Sequence, residues 1–347
     1  LVFAGFGGSQ VGPGGFGTLP AMRLGVRKEV GPVGVRVRLD YGARAYTLLP
    51  EKAPVPSGGA SARAVPAPRP GESTIGFLNL ERFFDDTPSG VGPTLNPDAW
   101  ETRLRKASLV VRTLLRAPDV LALAEVESLP VLEALASRVR ADAAASGEAD
   151  PGYRAYLEEG NDASGIDVGF LVASSLRVVS VVQEGKAATY VDPTTGSSAT
   201  LNDRPPFVLS ASAPAPGGGE RPFTVVVNHL RSLTDVEADS PAGRRVRAKR
   251  QAQAEYLAGL LSRLQAAGPD VPIFAVGDFN AFDVSDGLVD VIGTARGAPA
   301  PANEVAVDRS ADLLDPDFLD LGAVDAFLAP SERYSYSFAG NAQLIDH

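Results

Sequence analysis

The sequence predicts an α/β fold, and three observations support this prediction. Short apolar runs such as 120–124, 223–227 and 271–276 have the length and flanks of buried strands. Other segments carry apolar residues at helical spacing, for example from Trp100 to Leu114. Strand-like runs outnumber the helical segments, so the β content is too high for a simple doubly wound sheet.

Composition narrows the classes of protein that fit. The 347 residues are 44% hydrophobic and 21% charged, which is ordinary for a globular protein with a sizeable core. The absence of cysteine excludes disulfides, cysteine-bound zinc and thiol catalysis. A formal net charge of -10 argues against binding nucleic acid through general basicity, although an enzyme can still contact a few phosphates through a metal. No apolar run is long enough to predict a membrane span.

The first 72 residues predict a small β domain and a linker. Residues 1–50 are rich in glycine and β-formers, with alternation over 33–39, and are expected to form the last strands of a β domain. Residues 51–72 are rich in proline, serine and alanine and predict an extended linker. The second domain is expected over 73–347. Because the chain does not begin with methionine, we expect a piece of a longer precursor, and the lack of a signal peptide says nothing about export.

Within 73–347, strands and helices alternate along most of the chain. Helices are predicted over 96–114, around 132–139 and over 242–267, the first opened by the cap pair Asn96-Pro97. Strands are predicted over 73–78, 120–124, 166–172, 176–183, 207–213, 222–227, 271–276 and 334–347, with a loop-rich region before the last.

Five of these strands end in polar residues of different types, namely Asn79, Glu125, His229, Asp278 with Asn280, and Asp346. Polar groups at the carboxyl ends of strands are where α/β proteins usually place chemistry. Asp278 and Asn280 lie two residues apart and would share a face if the strand continued. A carboxylate beside a neutral amide suits a phosphate ester. Taken singly, each has a structural alternative: a capped turn at 277–280, a satisfied core histidine, or an exposed strand-end glutamate.

Together these blocks resemble the endonuclease/exonuclease/phosphatase superfamily, which includes deoxyribonuclease I. The matching phrases are 77–79, 124–127, 228–232, 277–281 and 334–347. The resemblance implies a four-layer α/β sandwich, with two packed mixed sheets and helices outside. Residues 282–293 and 334–347 are most similar to the bacterial exported nucleases of that superfamily, in which a small β module commonly precedes the catalytic domain.

The resemblance also implies a role for each strand-end residue. Glu125 is expected to be the main ligand of Mg²⁺ or Mn²⁺, with Ca²⁺ as a further candidate, and Asn79 to assist that ion. Asp278 is expected to orient or deprotonate the attacking water, and Asn280 to donate to the phosphoryl oxygens. His229 is expected to contact the scissile phosphate or protonate the leaving oxygen.

Two further roles and two departures complete the comparison. Asp346 matches an aspartate that fixes a second histidine, and Asp167 is expected to orient His229, with a structural salt bridge as the alternative. The superfamily closes with a Ser-Asp-His block after the strand that holds His347, and we expect the chain to stop before that catalytic histidine and before up to two core strands. Arg82 stands where relatives often carry a second asparagine.

The expected function is therefore metal-dependent phosphodiester hydrolysis by an extracellular or cell-surface bacterial nuclease, with DNA preferred over RNA. The alternatives are a phosphatase or phospholipase C-type enzyme of the same fold, and a degenerate binding module without catalysis. We expect no membrane insertion and no obligate protein partner. The first turns of the long helix carry basic residues that either steer a polyanion to the site or form a solvated face, namely Arg244, Arg245, Arg247, Lys249 and Arg250.

Overall fold

The computed structural model describes residues 64–321, 334–338 and 341–347, and the backbone of two short strands nearer the amino terminus. The chain divides into two compact units, Ser9–Arg63 and the remainder. In the smaller unit, β1 (Val37–Asp40) pairs with β2 (Thr47–Pro50) in an antiparallel hairpin. The rest of the predicted β domain and linker segment 51–63 lie outside the described residues.

The described part of the larger unit alternates strands with helices. Its helices are α1 (Pro97–Leu109), α2 (Leu129–Ser146), α3 (Pro241–Ala267) and α4 (Val291–Arg296). Its strands are β3 (Ile75–Phe83), β4 (Val120–Val126), β5 (Arg154–Leu157), β6 (Asp167–Val172), β7 (Arg177–Gln183), β8 (Thr189–Val191), β9 (Ser198–Thr200), β10 (Phe207–Pro214), β11 (Glu220–His229), β12 (Ile273–Asp278), β13 (Tyr336–Phe338) and β14 (Asn341–Gln343).

Two four-stranded mixed sheets form the centre of this unit. The first has the strand order β3-β4-β6-β5, with β3 and β4 parallel and the other pairs antiparallel. The second has the order β12-β11-β10-β7, again with one parallel pair, β11 and β12. In each sheet a helix connects the parallel pair, α1 in the first and α3 in the second. Parallel neighbours require such a crossover, which covers the outer face of the sheet.

Side-chain alternation along the strands builds three apolar layers. In β4, Leu121 and Leu123 pack toward α1 and α2, whereas Ala122 and Ala124 face the second sheet. In β11, Val226 packs with the inner face of α3. A strand buried on both faces reads as a continuous apolar run, which explains why these segments lack polar alternation. The layers are therefore helix, sheet, sheet and helix, and the predicted four-layer sandwich is confirmed.

Local signals set the helix ends. The Asn96 side chain accepts a hydrogen bond from the Ala99 N–H (2.9 Å), and Pro97 occupies the first helical turn. Ser240 and Pro241 repeat this arrangement at the start of α3, where the Ser240 hydroxyl accepts from the Gly243 N–H. The α1 helix continues into a π-helical turn over Val110–Leu114. No described helix is both long and apolar enough to cross a bilayer.

Three boundaries differ from the sequence predictions. Residues 64–72, predicted as linker, lie against the larger unit because the Val65 N–H donates to Leu114 O (2.8 Å) and Arg221 donates to Gly71 O (2.8 Å). β3 does not end at Asn79 but continues to Phe83 through an irregularity in its pairing with β4. The short helix α4 lies in the region predicted as loop, opened by Asp290, whose side chain accepts from the Gly293 N–H.

Candidate active site

The candidate site lies where the carboxyl ends of the two parallel strand pairs meet. Asn79 lies on β3, Glu125 on β4, His229 at the end of β11 and Asp278 at the end of β12. They lie at, or directly behind, the floor of a cleft of about 790 Å³. Strands of different sheets thus bring together residues that are up to 199 positions apart in the chain. This is the crevice position at which α/β folds place ligands.

Asn79 bridges two carboxylates with its amide nitrogen. Its Nδ2 donates to Glu125 Oε1 (3.1 Å) and to Asp278 Oδ2 (3.0 Å). The amide orientation is fixed because Oδ1 accepts a hydrogen bond from the Glu81 N–H (2.8 Å). The second oxygen of Glu125 accepts from the Arg82 N–H (2.8 Å). Asn79 therefore holds the carboxylate pair together, and its predicted role in assisting the metal ion stays a prediction.

His229 and Asp278 are direct partners in the β11–β12 ladder. His229 Nε2 lies 3.7 Å from Asp278 Oδ2, and both side chains are buried. The strands approach closely just before this pair, at Asn228 and Gly277. Gly277 has φ +146°, and a Cβ there would lie 2.0 Å from Asn228 O, so only glycine fits. His229 does not line the described cleft but lies behind Asp278, so its predicted contact with phosphate stays a prediction.

Two site residues adopt left-handed backbone conformations. Glu125 has φ 61° and Asn280 has φ 49°. Such non-glycine residues cost about 1 kcal/mol or more each and persist where the surrounding structure fixes them. The β12 strand ends at Asp278 and the backbone turns at Asn280, so the condition for the two side chains to share a strand face is not met. Its Nδ2 donates to Leu230 O (3.2 Å), although the residue still lines the cleft.

Asp346 joins the site from the end of the chain. It forms an isolated antiparallel bridge with Asp278, extended by hydrogen bonds between the backbones of Gly277 and His347. The Asp346 N–H donates to the Ser335 hydroxyl (3.1 Å). Asp346 Oδ1 is buried and accepts no hydrogen bond from the described residues. A third carboxylate therefore lies beside the Asp278–Glu125 pair with unused acceptor capacity.

Two carboxyl groups at the site, those of Asp278 and Asp346, have raised pKa values. Burial, and then the neighbouring Asp346 carboxylate, raise the pKa of Asp278 to about 8, while hydrogen bonds from Asn280 and Asn79 lower it and Glu125 raises it. Burial raises the pKa of Asp346 to about 6. Desolvation and like charges both disfavour ionised carboxylates. Asp278 therefore retains its proton at neutral pH when no cation neutralises the cluster.

His229 is held as a neutral imidazole. Burial, and then the positive charge of Arg204, lower the pKa of His229 well below its ordinary value. Its Nδ1 has no hydrogen-bond partner among the described residues. Arg204 also anchors the backbone around the histidine, since it donates to His229 O (3.3 Å) and Leu230 O (2.9 Å), and it pairs with Asp162. Because the pKa of His229 is lowered and that of Asp278 is raised, a proton shared by this pair resides on the carboxyl group and the imidazole stays neutral.

The expectation that Asp167 orients His229 is wrong for this structure. Asp167 Oδ1 accepts a hydrogen bond from the Gly160 N–H (2.7 Å). Burial, and then the Glu159 carboxylate, raise the pKa of Asp167 to about 7. A Cβ atom added at Gly160 would lie 2.5 Å from that same Oδ1, so the turn at 159–160 packs tightly over Asp167. The side chain stabilises that turn and leaves His229 Nδ1 without a partner.

The donor set fits a divalent cation. Glu125, His229 and Asp278 each offer one ligand atom, and the three atoms lie within 4.8 Å of one another. Carboxylate oxygens suit a hard ion such as Mg²⁺ or Mn²⁺, and imidazole nitrogen favours Mn²⁺ within that pair. The orphaned Oδ1 of Asp346 and the raised pKa values both indicate negative charge that lacks a counter-ion. Glu125 and Asp278 are the residues that would hold the ion.

Four of the five basic residues at the start of α3 contact other groups of the protein, whereas Arg244 is exposed to solvent. Arg245 pairs with Asp192 (2.6 Å) and Lys249 with Asp203 (2.8 Å). Arg247 donates to Val236 O (2.7 Å). Arg250 is 1% exposed and donates to backbone carbonyls beside the site, a role that the sequence analysis missed. The sequence did contain a signal for the burial of Arg250. The spacing of positions 246, 250, 253 and 257 follows the helical period, which places the charged residue 250 on the core face of α3.

Arg82 and Glu127 also take structural contacts. The Arg82 guanidinium lies over the Phe84 ring, 5.3 Å from its centroid. Glu127 Oε2 accepts a hydrogen bond from the Asp85 N–H (3.0 Å) and is buried. Glu127 therefore holds the segment after β3 against the end of β4. Glu81, on β3, lines the cleft and was not identified from the sequence.

No protein-family model matches the chain. No curated protein matches it significantly either. Among solved structures, truncated TDP2 from Caenorhabditis elegans is 20% identical with a TM-score of 0.33, over 53% of this chain and 60% of that one. ANGEL2, a 2′,3′-cyclic phosphatase, is 18% identical with a TM-score of 0.29, over 54% and 45%. An endonuclease/exonuclease/phosphatase from Beutenbergia cavernae is 20% identical with a TM-score of 0.29, over 52% and 43%.

The chain thus spans between 43% and 60% of the lengths of these three structures. At TM-scores below 0.5 the likenesses assign no role to any residue. The chemistry of the site follows from its own geometry: clustered carboxylates and two amides line an open cleft, and a neutral imidazole lies beside Asp278.

Proposed function

We propose that this protein hydrolyses phosphodiesters with the help of a divalent cation. The observation that carries the proposal is the convergence of Glu125, His229 and Asp278, whose ligand atoms lie within 4.8 Å of one another at the ends of strands from both sheets. A cation held by Glu125 and Asp278 would neutralise negative charge on the phosphate as the transition state forms. The raised pKa values of Asp278 and Asp346 support the need for such a counter-ion.

The residues of the chain divide the remaining work. Asp278 Oδ2 accepts the proton of the attacking water, and neutral His229 Nε2, 3.7 Å away, stabilises that proton. Asn79 keeps the two carboxylates in register through its bridging amide. Asn280 Nδ2 uses one hydrogen on Leu230 O and retains the other for a phosphoryl oxygen. Burial of the cluster strengthens each of these interactions by lowering the local dielectric.

For the substrate we propose DNA, with RNA second. The support is the resemblance of 277–281 and 334–347 to exported bacterial nucleases, together with a cleft that is open to solvent. We also propose export, on the same resemblance. Detection of the protein in the culture medium of its native host would support export, and its retention inside the cells would contradict it.

A smaller phosphoester is the second candidate, and the charge of the cleft favours it. Seven acidic side chains and neither lysine nor arginine line the cleft among the described residues (Glu81, Glu125, Asp235, Glu237, Asp278, Asp286 and Asp346). A polyanion gains little from such a lining unless cations are bound. A diester with a single charge pays less electrostatic cost to enter. The two candidates therefore differ in how strongly cleavage depends on salt and on the cation.

The test is a substrate panel with the full-length product of the gene. Supercoiled plasmid DNA, RNA, a bis-aryl phosphate and sphingomyelin vesicles are incubated with MgCl₂, MnCl₂ or EDTA. We expect cleavage with cation only, and its loss in Glu125→Ala and Asp278→Ala, while Glu148→Ala on the exposed surface stays active. Mg²⁺-dependent cleavage retained by Asp278→Ala, with the fold confirmed by circular dichroism, would overturn the proposal.

A further inference from the structure

Arg250 is a buried cation whose hydrogen bonds go to backbone carbonyls. Its Nη1 donates to Arg231 O (2.6 Å) and to Asn280 O (2.8 Å). The carboxylate of Asp286 lies farther away, with an oxygen 3.8 Å from Nη2. Burial lowers the pKa of Arg250 to about 10, so the guanidinium stays charged at neutral pH. Burying a charge costs several kcal/mol unless its hydrogen bonds compensate, so these two bonds matter to the fold around the site.

The two carbonyls belong to the two loops that directly follow β11 and β12, the strands that end in His229 and Asp278. Arg231 follows His229 by two residues, and Asn280 follows Asp278 by two. Asn280 is fixed through both backbone groups, since its N–H donates to Asp278 Oδ1 (2.9 Å) and its carbonyl accepts from Arg250. Its φ of 49° is a conformation that strand pairing does not maintain. Arg250 therefore holds a strained residue that borders the cleft.

Gln253, three residues along the same helix, fixes the other loop. Its Oε1 accepts from the Arg231 N–H (2.8 Å) and its Nε2 donates to Leu201 O (2.9 Å). Arg231 is thus bonded to α3 through both its N–H and its carbonyl. Both helix residues are at least 98% buried. The loop after β11 is consequently anchored to α3, and Arg250 extends the same anchor to the loop after β12.

We propose that Arg250 is a positioning residue for the hydrolysis: it fixes the loop that follows Asp278 and holds Asn280 relative to the loop that follows His229. The proposal rests on the proposed function. The two N–H groups of one guanidinium nitrogen set the separation of the two carbonyls. Lysine keeps the charge, but its shorter side chain cannot place a nitrogen at the same point. Methionine keeps most of the volume and loses both bonds.

The test compares Arg250→Met and Arg250→Lys with the control Arg245→Met on the same helix, well below their unfolding temperatures. Arg245 pairs with Asp192 away from the cleft. We expect both Arg250 variants to lose about 10²-fold in kcat, with KM changed by less than about threefold, because a misplacement of about 1 Å costs this much. Amide exchange in 229–232 and 278–281 should accelerate. The control should change neither quantity.

The outcomes separate the two proposals. Unchanged kcat in Arg250→Met, or full kcat in Arg250→Lys, would overturn the positioning role, the latter because charge alone would then suffice. If the wild-type protein cleaves no substrate, the proposed function fails, and amide exchange alone decides whether Arg250 holds both loops. Faster exchange confined to those loops supports the inference, and unchanged exchange contradicts it. If Arg250→Met does not fold, Arg250→Lys carries both measurements.

Discussion

Replacing Asp278 by asparagine should stabilise the cation-free protein, but only at alkaline pH. The pKa of Asp278 is raised to about 8, so the folded state binds its proton more tightly than the unfolded chain does. A raised carboxyl pKa means that stability is lost as pH rises from the unfolded value near 4 through about 8. Above that range the wild-type protein carries the full repulsion of the cluster, whereas Asp278→Asn does not.

The structure gives the magnitude. The ligand atoms of Asp278 and Glu125 lie within 4.8 Å, and two charges at that distance repel by about 3 kcal/mol at an effective dielectric constant of about 20. Asparagine has one acceptor oxygen for the two donors that Asp278 now serves, which costs about 1 kcal/mol. The net gain is about 2 kcal/mol at pH 9, or roughly 5 °C in Tm. At pH 5, where Asp278 is protonated, the gain should vanish.

The assay is thermal unfolding at about pH 5 and about pH 9, in EDTA and with saturating MgCl₂. The matched control is Asp162→Asn, because Arg204 and Ser164 lower the pKa of Asp162 and its loss should destabilise at pH 9. Saturating Mg²⁺ should stabilise the wild-type protein by about 3 kcal/mol and Asp278→Asn by much less. If Asp278→Asn were less stable than wild type at pH 9 in EDTA, or shifted equally at both pH values, the account of the cluster would be wrong.

Two further substitutions probe the frame of the site. Asn79→Ala should destabilise the cation-free protein by about 2 kcal/mol at pH 9, because it removes the donor between two carboxylates. In the Asp278→Asn background the same substitution should cost about 1 kcal/mol less. If the changes in the free energy of unfolding were additive, the bridge would not be formed. Gly277→Ala should lower the free energy of unfolding by more than about 3 kcal/mol, because its Cβ would lie 2.0 Å from Asn228 O. The control Gly147→Ala, at φ +68° with no atom within 4 Å, should lower it by about 1 kcal/mol. Equal losses of stability in denaturant unfolding would refute the close approach.

Apolar periodicity was sufficient to predict most of the fold. The runs at 120–124 and 223–227 are strands buried on both faces, and the α3 helix begins within one residue of its predicted start. What periodicity cannot encode is which strands pair. The ladder between β11 and β12 places His229 opposite Asp278, and the final residues add Asp346 to it. These contacts depend on sheet order, so the sequence reached them only through the resemblance to a family.

For individual site residues, the sequence could not predict the direction in which the side chain points. Asp167 was expected to face His229, but the tight turn at Gly160 takes its oxygen. Asn280 would share a face with Asp278 only if the strand continued, but a left-handed backbone turns its amide toward Leu230 O. In both cases a backbone group of a neighbouring loop determines where the polar side chain points. Arg250 was missed for a different reason. Its position in the helical period predicted burial, whereas arginine is a residue type typical of exposed positions.

Repulsion among the clustered carboxylates makes cation binding depend on pH. Asp278, Asp346 and Glu125 lie together without a lysine or arginine among the described cleft residues. Among the described residues, hydrogen bonds from Asn79, from Asn280 and from the Arg82 N–H offset part of their repulsion, and Ser335 and His347 lower the pKa of Asp346, yet the pKa values of Asp278 and Asp346 remain raised. Protons and a divalent ion therefore compete for the same oxygens. Cation affinity must rise with pH up to about 8, the pKa to which Asp278 is raised, and a bound cation must shift that titration to lower pH.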